Sequence, residues 1–177
     1  MIATSELFAK VHAMLADDPC WRGLLEPGSP KAEQVGIHLA VLTEPYLQFI
    51  LSGHKTVESR FSMKAIAPFR RVVPGDAILL KRVAGPVVGL CRVDDAWFYE
   101  LEGGLLDAIR HRYVDSLCVR DPGFWAARQD AKFATLLALS HARSMPALPV
   151  AKRDRRGWVV LRSNPYEEIG THQWLSS

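Results

Sequence analysis

Long apolar runs are missing from this sequence. No stretch approaches the ~18–20 residues that a membrane helix needs, so no bilayer-spanning segment is expected. Cysteine is scarce: Cys20, Cys91 and Cys118 are odd in number and far apart. They form no disulfide framework and no C-x-x-C metal spacing, and they suit a reduced, cytoplasmic protein that uses thiols as small apolar residues. The first residues, Met1-Ile2-Ala3-Thr4-Ser5-Glu6, lack a basic region followed by an apolar stretch, so no secretory signal is expected. His12, His38, His54, His111, His141 and His172 are scattered without ligand spacing, and neither metal nor cofactor is expected. Gly85 and Gly89 have no phosphate-loop context, and no Ser/His/Asp or Cys/His arrangement stands out. No repeat or low-complexity tract is present.

What is there suits one folded unit. The chain has 177 residues, 49% of them hydrophobic and 23% charged, with mean hydropathy near zero. That is ample for an apolar core and ordinary for a globular protein, and it excludes disordered, collagenous and coiled-coil classes. A monomer near the chain mass of 19.8 kDa is the expected size, and a dimer is not forbidden. The net charge of +3 is unevenly spread. Residues 53–92 carry eight Lys or Arg against two acids, and residues 128–162 do the same, which leaves six cations and fifteen anions elsewhere. Two basic segments in an acidic remainder fit a polyanion footprint, and they equally fit solvated strand edges.

Residues 5–16 place Leu7, Phe8, Val11, Met14 and Leu15 on one helical stripe that ends at Asp17-Asp18-Pro19. Glu26 to Pro30 reads as a turn, so the first 35 residues form a helical extension packed on the remainder of the chain. Gly36–Leu42 reads as a strand. Thr43-Glu44-Pro45 starts a helix, capped by Thr43, that runs to Ser52 and ends at Gly53. Thr56–Phe61 alternates as a strand, with Val57 and Phe61 inward and Glu58 and Arg60 outward. After the Pro74-Gly75-Asp76 turn, Ala77–Arg82 and Val87–Val93 read as strands, with Trp97, Phe98 and Tyr99 extending or following the second. Leu105–Leu117 reads as a helix, and Pro122–Ala131 as a further helical segment. Phe133–Ser144 fits helix or strand, and Gly157–Leu161 is a closing strand. Short neighbouring strands with inserted helices favour a small mixed barrel over alternating βαβ units.

One octet carries chemistry. Gly53-His54-Lys55-Thr56-Val57-Glu58-Ser59-Arg60 has the spacing G-x-K-x-x-E-x-R. Its glycine ends a helix, Lys55 stands where the strand begins, and Glu58 and Arg60 share a strand face, which clusters two cations and a carboxylate at a barrel mouth. The plainer alternative is an exposed Glu–Arg pair with Lys55 solvated.

This octet resembles the signature of the ASCH (activating signal cointegrator homology) family, within the PUA-like superfamily of small β-barrels. Glu44–Leu51 looks like the helix before that signature. Val73–Leu80 looks like its following Gly-Asp turn and strand, and Gly157–Leu161 like its last strand. The resemblance spans residues 37–162. It implies an α+β fold, a PUA-like mixed β-barrel at 36–162 with a helical insertion over 101–131, flanked by the helical extension 1–35 and a C-terminal tail 163–177. It also implies a cleft beside the 45–52 helix that holds Lys55, Glu58 and Arg60 and binds nucleic acid, RNA more than DNA, or a nucleotide. Tyr46 or Trp125 would stack a base, Lys132 would face the cleft, and Arg153-Asp154-Arg155-Arg156 would be a solvated turn or a backbone clamp.

One branch of small ASCH-like proteins hydrolyses N4-acetylcytidine with a threonine nucleophile, the motif lysine as base and a distal glutamate. Here Glu58 occupies the threonine's place, and Thr56, on the same strand face, is the alternative nucleophile, displaced by two strand residues or roughly 6–7 Å against a tolerance of about 1 Å. Glu58 would instead act as general base or hold Lys55 protonated, with Lys55 and Glu58 catalytic only if the protein is an amidohydrolase or ribonuclease. A third reading is an adaptor that engages a protein partner through its N-terminal helix.

Overall fold

The computed structural model describes residues 4–26, 28–150 and 156–165. Arg153, Asp154 and Arg155 of the expected turn, and Tyr166 and Trp174 of the expected tail, lie outside them. The elements run in order α1 (Thr4–Met14), α2 (Pro19–Leu25), α3 (Pro30–Glu33), β1 (Ile37–Leu42), α4 (Tyr46–Leu51), β2 (Val57–Ser62), β3 (Ala77–Arg82), β4 (Val87–Glu100), α5 (Leu105–Leu117), β5 (Phe133–Leu148) and β6 (Trp158–Arg162). Among the described residues the strands form one six-stranded sheet in the order β2-β5-β4-β3-β1-β6. β1 and β3 are parallel, and every other pair is antiparallel. β4 and β5 pair along their length through three register shifts. Such bulges increase twist, and the sheet curls into a half-barrel of the α+β class the sequence predicts.

The run Ala77–Leu80 of β3 is apolar without alternation because both sheet faces are covered there. In β3, Ala77 and Leu79 join a cluster with Leu7, Val11, Leu15, Trp21 and Leu25 of the N-terminal helices. The alternate residues Ile78 and Leu80 point into the curl, beside Leu47, Ile50, Cys91 and Leu137. A third cluster lies under α5, where Val57 and Leu136 meet Ile109, Tyr113, Leu117 and Trp125. Leu7, Val11 and Leu15 of the N-terminal extension are therefore buried on the barrel, while Met14 of the same stripe is exposed.

Several local expectations change. The helix after β1 starts at Tyr46, and Thr43 does not cap it; Glu44 Oε2 accepts from the Gln48 amide at 3.2 Å instead. Gly53, at φ +76°, does end the turn after this helix. The strand read as Val87–Val93 continues to Glu100. The segment Pro122–Ala131 holds a single 3-10 turn at Ala126–Arg128, and Phe133–Leu148 is strand. The face of β2 expected to point outward is covered as well. Val57 packs under α5, while Glu58 is 6% exposed and faces the curl. The inserted helix covers the face that a bare barrel would show to water.

The Gly-Asp turn is fixed by a carboxylate with no solvent exposure. Asp76 accepts from the amides of Gly36 at 2.8 Å and Val73 at 2.9 Å, from Asn164 Nδ2 at 2.9 Å, and pairs with His38 Nε2 at 3.0 Å. His38 Nδ1 lies 3.3 Å from Trp158 Nε1, which can only donate; His38 is therefore neutral at Nδ1 and carries its proton on Nε2. A Cβ on Gly36 would stand 2.5 Å from Asp76 Oδ1, so glycine is required there. Asp76→Ala strands four buried donors. It is expected to destabilise the fold by at least about 3 kcal/mol, lowering Tm by about 6–12 °C in thermal denaturation. A change below about 2 °C would contradict this account.

Candidate functional site

The octet brings its three charged residues together in the curl. Lys55 comes after the Gly53 turn, and its Nζ reaches the carbonyls of Val57 at 2.6 Å and Leu117 at 3.1 Å. Leu117 is the last residue of α5, so the ammonium sits at the negative end of that helix. Glu58 Oε2 lies 3.5 Å from Lys55 Nζ, and Glu58 Oε1 lies 2.9 Å from Arg60 Nε. The second approach is an ion pair without hydrogen-bond alignment, since Arg60 Nε has no hydrogen-bond acceptor. Arg60 sends its other two nitrogens across the opening of the half-barrel, to Val41 O of β1 and Gly157 O just before β6, both at 3.1 Å. Its guanidinium also lies 5.4 Å from the Trp158 ring centroid. The solvated Glu–Arg pair is excluded: Lys55 is 4% exposed.

Above this triad is a cavity of about 470 Å³, within the usual range for small-molecule sites. Lys55, Glu58, Arg60 and Tyr46 line it together with Thr43, Ser59, Phe61, Leu117, Asp121, Phe124 and Arg128. The sequence reading missed the far wall. The Arg128 guanidinium stacks 3.4 Å from the Phe124 ring centroid, and its Nη1 donates to Phe124 O at 2.6 Å. The i,i+4 spacing of Phe124 and Arg128 was the available signal. Burial lowers the Arg128 pKa, opposed by Tyr46, Asp121 and Glu58. Lys132 and Trp125 are not lining residues; Lys132 is exposed, and Trp125 belongs to the core under α5. Thr56 lines a separate hollow with Ser140 and His141, so it is out of place as a nucleophile. Among the described residues, no group of three or more His, Cys, Asp or Glu is placed to hold a metal ion.

The cationic windows contribute little free charge to this cavity. Its lining has three cations and two carboxylates. Elsewhere Arg82 pairs with Glu44, Arg70 with Glu100 and Arg143 with Asp18. Lys81 is bonded to Gly85 O, and Arg162 donates to the carbonyls of Val35 and Ala32. Three cations of the basic segments, Arg70, Arg82 and Arg143, thus meet carboxylates of the acidic remainder across the fold.

Burial pushes the Lys55 pKa down from 10.5, with Glu58 opposing the shift. Between the lowered folded value and 10.5, the unfolded chain binds more protons, so this group makes folding more favourable as pH rises through that window. The unfolding free energy of the wild type should therefore climb relative to Lys55→Met as pH approaches 10.5, measured by urea titration at stepped pH. Parallel pH profiles would contradict the buried ammonium. Arg60→Lys, with one nitrogen in place of three, cannot hold both edge carbonyls, and a loss of about 3 kcal/mol is expected in the same assay.

No protein-family model matches the sequence, and no curated protein matches it. Solved structures do match. ASCH from Zymomonas mobilis superposes with a TM-score of 0.57 at 14% identity, covering 77% of this chain and 92% of that one. A tyrosine-to-phenylalanine variant of the Zymomonas mobilis protein gives 0.55 at 14%, covering 75% and 95%. A serine-to-alanine variant gives 0.55 at 14%, covering 77% and 95%. At this identity the likeness is one of fold: the half-barrel built around the octet is an ASCH fold.

Proposed function

We propose that this chain binds RNA or a nucleotide in the 470 Å³ cavity. The observation that carries the reading is the pairing of an aromatic–guanidinium wall with a buried, oriented carboxylate. Phe124, Arg128, Phe61 and Tyr46 offer flat surfaces for a base. Glu58 is held by Lys55 and Arg60, and its remaining lone pairs accept N–H donors from a base edge. Arg128 is the cation least committed within the cavity and takes a phosphate. Lys55 and Arg60 act mainly through Glu58, because most of their donors are already used by backbone carbonyls. Several solved structures of the same fold are named ASCH, a family the octet resembles and one associated with RNA binding.

A thermal-shift panel of ribonucleotides, deoxyribonucleotides and short oligomers identifies the ligand, and titration calorimetry measures it. Arg128→Ala and Phe124→Ala are each expected to weaken binding about 10-fold, one stacked or paired group's worth. One phosphate contact predicts a shallow salt dependence, a log–log slope of about −0.7 for a single strand. Absence of any shift across the panel, or binding indifferent to both variants, would overturn the proposal.

A second reading, hydrolysis of a modified nucleoside or of RNA in the same cavity, is favoured by one observation. Lys55 combines burial, a lowered pKa and a carboxylate neighbour, which is how proton-transfer groups are tuned. Thr56 being elsewhere, Glu58 would activate water as general base. Glu58→Gln then keeps ligand affinity and cuts turnover of N4-acetylcytidine or RNA by about 10²–10⁴-fold. No turnover by the wild type removes this reading and leaves binding alone.

A further inference from the structure

A second hollow of about 200 Å³ lies on the other side of Arg60. Arg60 and Phe61 line both hollows, so the main cavity and this one share a wall. That wall is fixed. The Arg60 guanidinium is tied to Val41 O and Gly157 O, and Val41 borders the first hollow while Gly157 borders the second. The far rim of the second hollow is the loop after β2, where Ile66 is 55% exposed and Met63 is 53% exposed. Exposed apolar side chains on one loop beside a cavity are what a base would cover. Between them, Lys64 is exposed on the same loop. Its backbone carbonyl accepts from Ser62 Oγ at 2.6 Å and from the Ile66 amide at 2.8 Å, which holds the loop in a turn.

Resting on the binding reading above, we infer that the site is built for single-stranded RNA of two or more nucleotides, with Arg60 as the divider between consecutive bases. The first base occupies the main cavity against Phe124 and Arg128. The next lies in the smaller hollow, over Ile66 and the edge of Phe61. The intervening backbone passes Arg60 at the dividing wall, and Lys64 on the far rim meets the phosphate beyond the second base. An isolated nucleoside fills only the first position. The two positions differ in kind: the first has a carboxylate to read a base edge, while the second is lined by Ile66, Ala67 and Pro68 and accepts any base by stacking.

Titration calorimetry with the four ribonucleoside 5′-monophosphates, and with trinucleotides of the base that binds best, separates the possibilities. The trinucleotide is expected to bind the wild type at least about 10-fold more tightly than the monophosphate, the increment of one stacked base. Ile66→Glu combined with Lys64→Glu should bring the trinucleotide down to the monophosphate's level and leave the monophosphate within about twofold of the wild type. Both positions are exposed, and thermal melting of the double variant, expected unchanged, confirms that the fold is kept. Equal wild-type affinities for monophosphate and trinucleotide would overturn the two-base site while leaving the cavity's own reading in place. Trinucleotide affinity untouched by the double variant would do the same. Binding of neither ligand would overturn both.

Discussion

The half-barrel is held across its opening by one guanidinium. β2 and β6 are the two edges of the sheet, and among the described residues no backbone ladder joins them. Arg60 spans the gap from β2 to the carbonyls of Val41 and Gly157, and a side chain at Gly157 would come within 2.9 Å of Arg60 Nη1. Edge strands left open are a liability, and a side-chain clasp is one way to close them. Because the clasp carries a charge into the curl, it needs a counter-charge there. Glu58, two residues earlier on the same strand face, supplies it and also faces Lys55, whose ammonium caps the carbonyl end of α5.

The clasp also continues inward. Trp158 lies under Arg60, donates to His38, and His38 donates to Asp76. A line of contacts thus runs from the Gly-Asp turn through β1 and β6 to β2 and the C-terminal end of α5. Among the fully buried side-chain nitrogens and oxygens described along it, Arg60 Nε alone has no hydrogen-bond partner. Partly satisfied buried networks are costly, and this near-complete one specifies how far the sheet curls. The curl in turn sets the width of the cavity and the place of its dividing wall. Structure and site therefore draw on the same three residues, and Glu58 is the member with acceptor capacity left over.

Charge in this molecule is organised by pairing. The basic windows and the acidic remainder, separate in sequence, meet as Glu44 with Arg82, Glu100 with Arg70 and Asp18 with Arg143. These exposed pairs add little stability, but they tie three cations of the basic segments to carboxylates. Recognition of a polyanion then depends on a few cations at a shaped cavity with aromatic walls.

The sequence by itself determined the elements whose cause is local. Short apolar runs marked β1 and β3, alternation over Thr56–Phe61 marked β2, the Leu7–Leu15 stripe marked α1, Gly53 marked a helix end, and the octet marked where charge would gather. Four ordered segments were enough to point to the ASCH fold, which the solved structures share. Only the tertiary structure decided which face of β2 was interior, because that depends on α5 arriving from residues 105–117 to cover the other side. It also decided that Thr56 and Lys132 would lie outside the cavity while Phe124 and Arg128 formed its wall. Strand alternation constrains faces within one element. The distance between side chains on different elements is set by the curl of the sheet, which bulges in β4 and β5 and the Arg60 clasp fix together.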